Sequence, residues 1–215
     1  MRHRPSARVL LLALAFGSLS AIAQESVPKP GVKAGDTWTY QVFDKKKDKV
    51  PRYYTLTATF SGRGAIHGVY AYSGGGRETD ADWTDEWNQV SRSDGGVYNG
   101  DQGIFHFPFQ VGKEYKVNYD LMLPRRGAFR VFHQRLVKAV GWEEITVPAG
   151  KFKALRIDAN GTFQRQDRSL TGDVTVSYWY VPKVKRWVKV TFQDRNSIDG
   201  LTEDGAEELL TFRVQ

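Results

Sequence analysis

From residue 37 onward, apolar and polar residues alternate in short runs, and glycine-rich turns such as Ser73–Gly76 and Asn99–Asp101 separate these runs. Valine, threonine and aromatic residues dominate the runs, which is typical of β-strands. Eleven strands are predicted, at Thr37–Phe43, Tyr53–Phe60, Ala65–Tyr72, Trp83–Ser91, Tyr115–Leu121, Phe129–Val140, Glu143–Val147, Phe152–Asn160, Val174–Val181, Lys185–Phe192 and Glu207–Val214.

The close spacing of these strands favours antiparallel meanders over βαβ units. The expected fold is all-β, with little helix after the N-terminal signal peptide. It is a single curved antiparallel sheet or half-barrel, or a sandwich, of about ten to eleven strands. The segment Asp80–Val90 is ambiguous, because Trp83, Trp87 and Val90 also fit one face of a helix. The neighbouring strands favour a strand there as well.

The hairpin over residues 174–192 can be interpreted in detail. If Pro182–Val184 forms the loop, Val181 pairs with Lys185 and Trp179 pairs with Trp187. A sheet face that contacts only water does not need large aromatic residues. We therefore expect the face that carries the tryptophans to be covered by another sheet layer, by the leader or by a ligand. A packed second layer is the commonest arrangement. The opposite, core face in this register carries Val174, Val176, Tyr178, Tyr180, Arg186, Val188, Val190 and Phe192.

The N-terminus has the three parts of a secretory signal peptide. Three arginines precede an apolar stretch over residues 9–23, and Ala21–Ala23 forms a small-x-small cleavage pattern. This stretch is shorter than the roughly 20 residues that span a bilayer. We therefore predict a cleavable signal peptide at 1–23, an extended leader at 24–35 that is loosely held, and a single antiparallel β domain at 36–215.

The amino-acid composition limits the cellular compartments and the classes of binding partner that the protein is expected to have. The chain has no cysteine, which predicts a protein without a lipid anchor, a disulfide or a thiol nucleophile. Together with the signal peptide, this predicts that the protein is located in the periplasm or secreted. It has 31 basic and 24 acidic residues, and removal of the three arginines in the signal peptide leaves a net charge of +4. This mild excess does not indicate a nucleic-acid partner, and it is compatible with peripheral contact with a membrane surface.

The sequence contains no motif for metal or cofactor chemistry. The histidines His67, His106 and His133 each stand alone, without the spacing of metal ligands. Serine-hydrolase and phosphate-loop motifs are absent. We predict no metal and no cofactor, and we expect a binding protein rather than an enzyme.

One acidic cluster supports the alternative hypothesis that the protein is an enzyme. Asp82, Asp85 and Glu86 are interleaved with two tryptophans, a combination typical of clefts in which paired carboxylates process glycans. In a strand, however, Asp85 and Glu86 point to opposite faces. A solvated strand edge is therefore the preferred interpretation.

A lysine-rich run separates the first two predicted strands. It contains Lys45, Lys46, Lys47 and Lys49. Charged residues at a hairpin tip usually protect the sheet edge and increase solubility. Contact with an anionic membrane surface is the alternative, because each basic residue adds about 1 kcal/mol of attraction there.

Four segments together resemble a group of uncharacterised exported bacterial β-proteins, sometimes called TapB-like. They are Gly35–Tyr40, Phe107–Lys113, Val147–Ile157 and Tyr178–Lys189. That group is in turn distantly similar to the lipoprotein-carrier fold, a curved antiparallel sheet or half-barrel. The resemblance extends along most of the mature chain. It implies a fold, and it brings no catalytic residues.

The leading functional hypothesis is a non-enzymatic periplasmic protein that binds an apolar or amphipathic, lipid-like ligand on the concave face of its sheet. Trp38, Tyr40, Trp179 and Trp187 are the candidate lining residues. The alternatives are an envelope scaffold that binds protein partners and a glycan-processing enzyme. A continuous cavity would favour the first hypothesis, and a filled core would favour the scaffold.

Overall fold

The computed structural model describes residues 25–46, 50–167 and 169–215. The predicted signal peptide lies outside the described residues, as do Lys47 and Lys49 of the lysine-rich run. The strands are β1 (Thr37–Asp44), β2 (Arg52–Gly62), β3 (Ala65–Tyr72), β4 (Thr79–Thr84), β5 (Val97–Tyr98), β6 (Glu114–Leu123), β7 (Phe129–Val147), β8 (Gly150–Arg165), β9 (Leu170–Val181), β10 (Arg186–Asn196) and β11 (Gly200–Arg213).

All eleven strands form one antiparallel sheet in the order β4-β3-β2-β1-β11-β10-β9-β8-β7-β6-β5. The prediction of an all-β, single antiparallel sheet is confirmed, and the sandwich alternative is wrong. Helix in the described part of the chain is confined to two 3₁₀ turns, Pro124–Arg126 and Pro182–Val184. Within the described ranges, no helix is long and apolar enough to cross a membrane.

Contacts between distant strands show that the sheet is strongly curved. Five strand spacings separate β4 from β10, or about 24 Å in a flat sheet. Nevertheless, Cζ of Arg186 in β10 lies 5.7 Å from the ring centre of Trp83 in β4. The β7–β8 turn also reaches back across the sheet, and its Ala149 N–H donates a hydrogen bond to the Leu209 carbonyl in β11 at 3.0 Å. This curvature gathers the apolar side chains on the concave face.

The connection between β4 and β6, residues 85–113, packs over the concave face and is called the cover segment below. Trp87, Phe105 and Phe109 in this segment are fully buried. The Trp87 ring lies 5.4 Å from the Trp38 ring and 6.1 Å from the Trp187 ring. The cover segment thus takes the place of the second layer that a single sheet otherwise lacks.

The leader is held more firmly than the sequence predicts. Val27 and Phe109 exchange both backbone hydrogen bonds, at 2.8 and 2.9 Å. Val27 and Val32 are buried, and the Ser61 hydroxyl donates to the Val32 carbonyl at 2.8 Å. The leader is therefore part of the packing around the cover segment.

The predicted register of the β9–β10 hairpin is wrong. Lys185 adopts φ 60° and its N–H returns to the Pro182 carbonyl, so the loop takes one residue more than predicted and Val181 pairs with Arg186. Trp187 therefore pairs with Tyr180, and a bulge after Trp187 places Lys189 opposite Trp179. The two tryptophans consequently lie on opposite faces of the sheet.

Two predicted strand boundaries are also wrong. The strand predicted over Trp83–Ser91 ends at Thr84, because the chain turns at Trp87 with φ 68° and the Trp87 N–H bonds to the Thr84 carbonyl. The two strands predicted between residues 129 and 147 form the single strand β7, which a bulge after Ala139 bends without interrupting.

A buried carboxylate joins the start of β1 to Gln215. Asp36 is fully buried and accepts bonds from Lys185 Nζ and from the backbone N–H groups of Lys33 and Gln215, each at 2.9 Å. Lys185 also donates to the Gln215 carbonyl at 2.7 Å. This network fixes the start of β1, the β9–β10 loop and the C-terminus together.

We expect Asp36→Ala to lower the free energy of unfolding by about 3–5 kcal/mol, because it removes the buried acceptor shared by the half-buried Lys185 ammonium and two backbone N–H groups. Urea unfolding monitored by tryptophan fluorescence measures the change. The control is Asp85→Ala, which removes an ion pair to the exposed Lys29 and should have a much smaller effect. Equal losses in the two variants would contradict a structural role for the buried pair.

Candidate ligand cavity

A cavity of about 410 Å³ lies between the concave face and the cover segment. This volume is within the range of small-molecule sites, roughly 300–1,000 Å³. Strands from across the sheet contribute to it, because the curvature turns them toward a common space. Its aromatic lining consists of Tyr54, Tyr70, Trp83, Trp87, Tyr98, Phe105, Tyr119, Tyr178, Trp187 and Phe192.

A packed aromatic cluster fills the concave face beside the cavity. Trp38 and Tyr40 of β1 are fully buried there. Trp38 Nε1 donates to the Val184 carbonyl at 2.8 Å, and the Tyr40 hydroxyl donates to the Trp187 carbonyl at 2.7 Å. Burial raises the pKa of Tyr40 well above its ordinary value, so this hydroxyl remains a hydrogen-bond donor.

Arg186 connects this cluster to the cavity, whose wall it joins. It is 2% exposed, and its Cζ lies 3.9 Å from the Trp187 ring centre and 4.2 Å from that of Trp87. The rings of Trp38, Tyr40 and Trp83 lie within 6 Å. These distances are those of cation–π contacts, so aromatic faces surround the guanidinium.

Arg135 and His133 line the same cavity from β7. Arg135 Nη1 donates to the Ala159 carbonyl at 3.1 Å. The His133 ring stacks on Tyr119 with 4.7 Å between centres. Burial, followed by the nearby Arg135 and Arg92 charges, lowers the pKa of His133 to about 3, and the imidazole is therefore neutral near pH 7.

The cavity also carries paired charges and carboxylates. Arg92 in the cover segment forms two hydrogen bonds with Asp94, at 3.1 and 2.9 Å. Asp194, Glu203 and Glu207 contribute to the wall from β10 and β11. Glu207 Oε1 accepts a bond from Trp187 Nε1 at 3.0 Å. The lining thus combines apolar rings with ionised groups, as an amphipathic ligand would require.

The structure separates the four residues predicted to line a site. Trp187 lies on the cavity wall. Trp38 and Tyr40 lie on the same face, in the packed cluster beneath that wall. Trp179 lies on the outer face, where its Nε1 donates to Glu143 at 2.7 Å and Arg156 stacks over its ring. On the outer face, Trp179 is therefore covered by polar and positively charged side chains.

The acidic cluster of the enzyme alternative includes a serine and a histidine. Asp82 accepts hydrogen bonds from the Ser91 hydroxyl at 2.8 Å and makes a 2.7 Å contact with His67 Nδ1. Partial burial opposes ionisation of Asp82, but these hydrogen bonds outweigh it and lower the pKa of the carboxyl. In a catalytic triad the histidine stands between the acid and the serine. Here the acid stands between the other two, which is not an arrangement that activates the serine.

The other two carboxylates of this cluster lie at the turn after β4. Asp85 forms an ion pair with Lys29 of the leader. Partial burial and the neighbouring Asp85 raise the pKa of Glu86. Within the described residues, no group of three or more His, Asp or Glu side chains is placed to hold a metal ion.

The described part of the lysine-rich run is exposed at the end of β1. Lys45 Nζ lies 3.5 Å from Asp204, with 65% of its side chain exposed. The Lys46 N–H is bonded to Asp44 Oδ1 at 2.9 Å. Contact with a membrane surface stays a prediction.

A wider groove of about 500 Å³ runs along the outer face at the ends of β7–β10. Gln134, Thr162, Gln164, Asp173 and Arg195 line it, and their side chains are exposed. Because a ligand there would remain largely in water, the concave cavity is the stronger candidate site.

Sequence reasoning missed Trp87, Arg135 and Arg186 as members of a site. A signal for Arg186 was present, since the predicted hairpin already placed this arginine among valines and tyrosines on the core face. Trp87 and Arg135 carried no such signal. The cavity depends on a turn and on long-range curvature that the local pattern does not encode.

No family model and no curated protein matches the chain. It is similar to a solved structure from Bacteroides fragilis, described as a candidate exported protein with a YmcC-like fold, at 13% identity and a TM-score of 0.53 over 87% of this chain and 99% of that one. It is also similar to a candidate lipoprotein of Parabacteroides distasonis, at 12% identity and a TM-score of 0.52 over 88% of this chain and 100% of that one. At such identities the likeness concerns the fold alone. The resemblance to TapB-like proteins stays a prediction.

The pKa of His133 predicts a specific pH dependence. Its pKa is about 3 in the folded protein and about 6.5 in an unfolded chain. Between these values only the unfolded state binds the proton, so stability falls as the pH decreases through this window. We expect His133→Phe, which keeps a ring beside Tyr119, to lose stability less steeply than the native protein, by at most about 1.4 kcal/mol per pH unit. Urea unfolding at pH 7, 6, 5 and 4 measures this; parallel profiles would contradict a buried neutral histidine.

Proposed function

We propose that this protein is an exported, non-catalytic binding protein whose concave cavity holds a small amphipathic ligand. The observation that carries the proposal is the cavity itself, which is roofed by the cover segment and lined by both aromatic rings and charged groups. A core built only for stability would fill such a space, since protein interiors are closely packed. The signal-peptide pattern and the descriptions of the two similar structures support an extracytoplasmic location.

The character of the lining supports an amphipathic ligand rather than a purely polar one. Tyr178, Trp187 and Phe105 form a continuous apolar surface, with ring centres 5.0 to 5.5 Å apart. Valines of β9 and β10 extend this surface. Burial of an apolar chain against these rings would stabilise a complex by about 25 cal/mol for each Å² removed from water.

Native mass spectrometry of the mature protein, purified from the periplasm, is the first experiment. We expect a co-purifying mass that organic solvent releases. A homogeneous protein without an added mass would favour the scaffold alternative, which the filled aromatic cluster around Trp38 and Tyr40 supports, and would direct the search to protein partners.

A matched pair of variants tests whether binding occurs in the cavity. Val176 lines the cavity, whereas its neighbour Thr175 is exposed on the outer face of the same strand. We expect Val176→Phe to weaken binding of the uncharged fluorescent probe N-phenyl-1-naphthylamine by about tenfold or more, because the added ring occupies ligand space. Thr175→Phe should leave the affinity unchanged. Probe titration monitored by fluorescence gives both constants.

Two results would count against this proposal. If the native protein does not bind the probe, the cavity does not act as an apolar site. If both variants bind the probe like the native protein, binding occurs elsewhere on the surface. Far-ultraviolet circular dichroism and urea unfolding establish that each variant is folded.

A further inference from the structure

The guanidinium of Arg186 has unused hydrogen-bonding capacity in a buried position. Its Nε and Nη1 atoms are shielded from water and have no hydrogen-bond partner. In the described part of the chain, no carboxylate forms an ion pair with it within 4.0 Å. Burial of charged donors without acceptors is costly, and such groups in native structures call for an explanation.

The rings of Trp38, Tyr40, Trp83, Trp87 and Trp187, called the aromatic cage here, explain only in part why this guanidinium is buried. Ring faces attract the positive charge, but a guanidinium directs its five N–H donors outward in its own plane. The π-faces of Trp87 and Trp187, at 4.2 and 3.9 Å from Cζ, are poor substitutes for oxygen acceptors. The rings and the hydroxyls of Tyr40 and Tyr70 stabilise the charge, but Nε and Nη1 of Arg186 remain without an acceptor.

A second arginine in the same cavity, Arg135, also has a donor atom without a hydrogen-bond partner. Arg135 Nε has no hydrogen-bond partner, and neither does Nδ1 of the adjacent His133. Arg135 likewise forms no ion pair within 4.0 Å in the described ranges. By contrast, the charge of Arg92 is matched by Asp94. Two guanidinium groups without an ion-pair partner among the described residues thus line one cavity.

The carboxylates of the cavity do not remove this imbalance. Glu207 accepts a bond from Trp187 Nε1 at 3.0 Å, and Asp194 and Glu203 lie farther along β10 and β11 on the wall. Glu207 acts on Arg186 only as a more distant charge. An acceptor that enters the cavity is needed to reach the guanidinium edge.

We propose that the ligand carries an anionic group, a carboxylate or a phosphate, that pairs with Arg186 and is further stabilised by Arg135, while its apolar part lies against the rings of the cavity. This inference rests on the proposed function. Oxyanions match the planar fork of arginine in two-pronged hydrogen bonds, and such charge-assisted bonds are among the strongest in proteins. The same contact would bring an oxyanion to a guanidinium that has no carboxylate partner among the described residues.

A matched pair of fluorescent probes isolates the anionic group. 8-Anilinonaphthalene-1-sulfonate differs from N-phenyl-1-naphthylamine only by its sulfonate, which stands in for the ligand oxyanion. We expect the native protein to bind the sulfonate probe at least about tenfold more tightly than the uncharged probe, as one charge-assisted contact would give. Each probe should displace the other, because both would occupy the same cavity.

Three variants assign the preference to the arginines. Arg186→Lys keeps a positive charge but loses the planar fork, and Arg135→Gln removes the second charge. Both should reduce affinity for the sulfonate probe by about tenfold and change affinity for the uncharged probe by less than about twofold. Arg130→Gln is the control, because it makes the same change in net charge at an exposed position on the same strand. It should bind both probes like the native protein.

The outcomes separate this inference from the function on which it rests. If the native protein binds neither probe, both are overturned. If it binds both probes equally, or if Arg130→Gln lowers sulfonate binding as much as the cavity variants do, only the anionic site is overturned. If Arg186→Lys does not fold, Arg135→Gln decides: a selective loss of sulfonate binding supports the site, and unchanged binding overturns it.

Competition then identifies the source of the anion. Dodecanoate that displaces the sulfonate probe at concentrations where inorganic phosphate does not would assign the site to an anionic amphiphile. Displacement by phosphate alone would assign it to a free anion and would overturn the apolar part of the proposal.

Discussion

A single β-sheet has an apolar face that must be buried, and the described residues of this protein contain no second sheet and no helix longer than a 3₁₀ turn to bury it. The structure meets this constraint by curving eleven strands around their own cover segment. Trp87 contacts rings from both halves of the sheet, and Arg186 lies in the middle of the same cluster. The curvature, the buried leader and the position of the cavity all follow from this arrangement.

The same arrangement divides the concave face into a part filled by packed side chains and a part that forms the wall of the cavity. Around Trp38 and Tyr40, aromatic side chains pack closely and bond to backbone carbonyls. Beyond Trp187 the lining becomes mixed, and guanidinium groups replace apolar contacts. Stability is therefore concentrated where the rings interlock, whereas the polar part retains groups that do not contribute fully to it, as is common at functional sites.

The sequence was sufficient for the class of fold and insufficient for the site. Period-two patterns located most strands because each side chain alternates between a buried and a solvated face. The predictions failed where a single residue in a turn or bulge changes which face of the sheet the following side chains occupy. The αL conformation of Lys185 lengthened a loop and so placed Trp187 on the other face from Trp179, a bulge shifted the register after Trp187, and the turn at Trp87 ended a strand early. The cavity is built from residues far apart in sequence, and local periodicity cannot show that Arg135 and Arg186 line the same space.

The pairing of β1 with β11 has a consequence for how the chain acquires its structure. These strands join residues 37–44 to residues 205–213, and Asp36 bonds directly to Gln215. The two halves of the sheet can therefore be connected only after β11 is present. Closing a loop of this length before its contacts form is slow, as it is for other sheets with non-local pairing. Until β11 pairs with β1, each half of the sheet keeps one edge strand with unpaired backbone groups, which can pair with another chain.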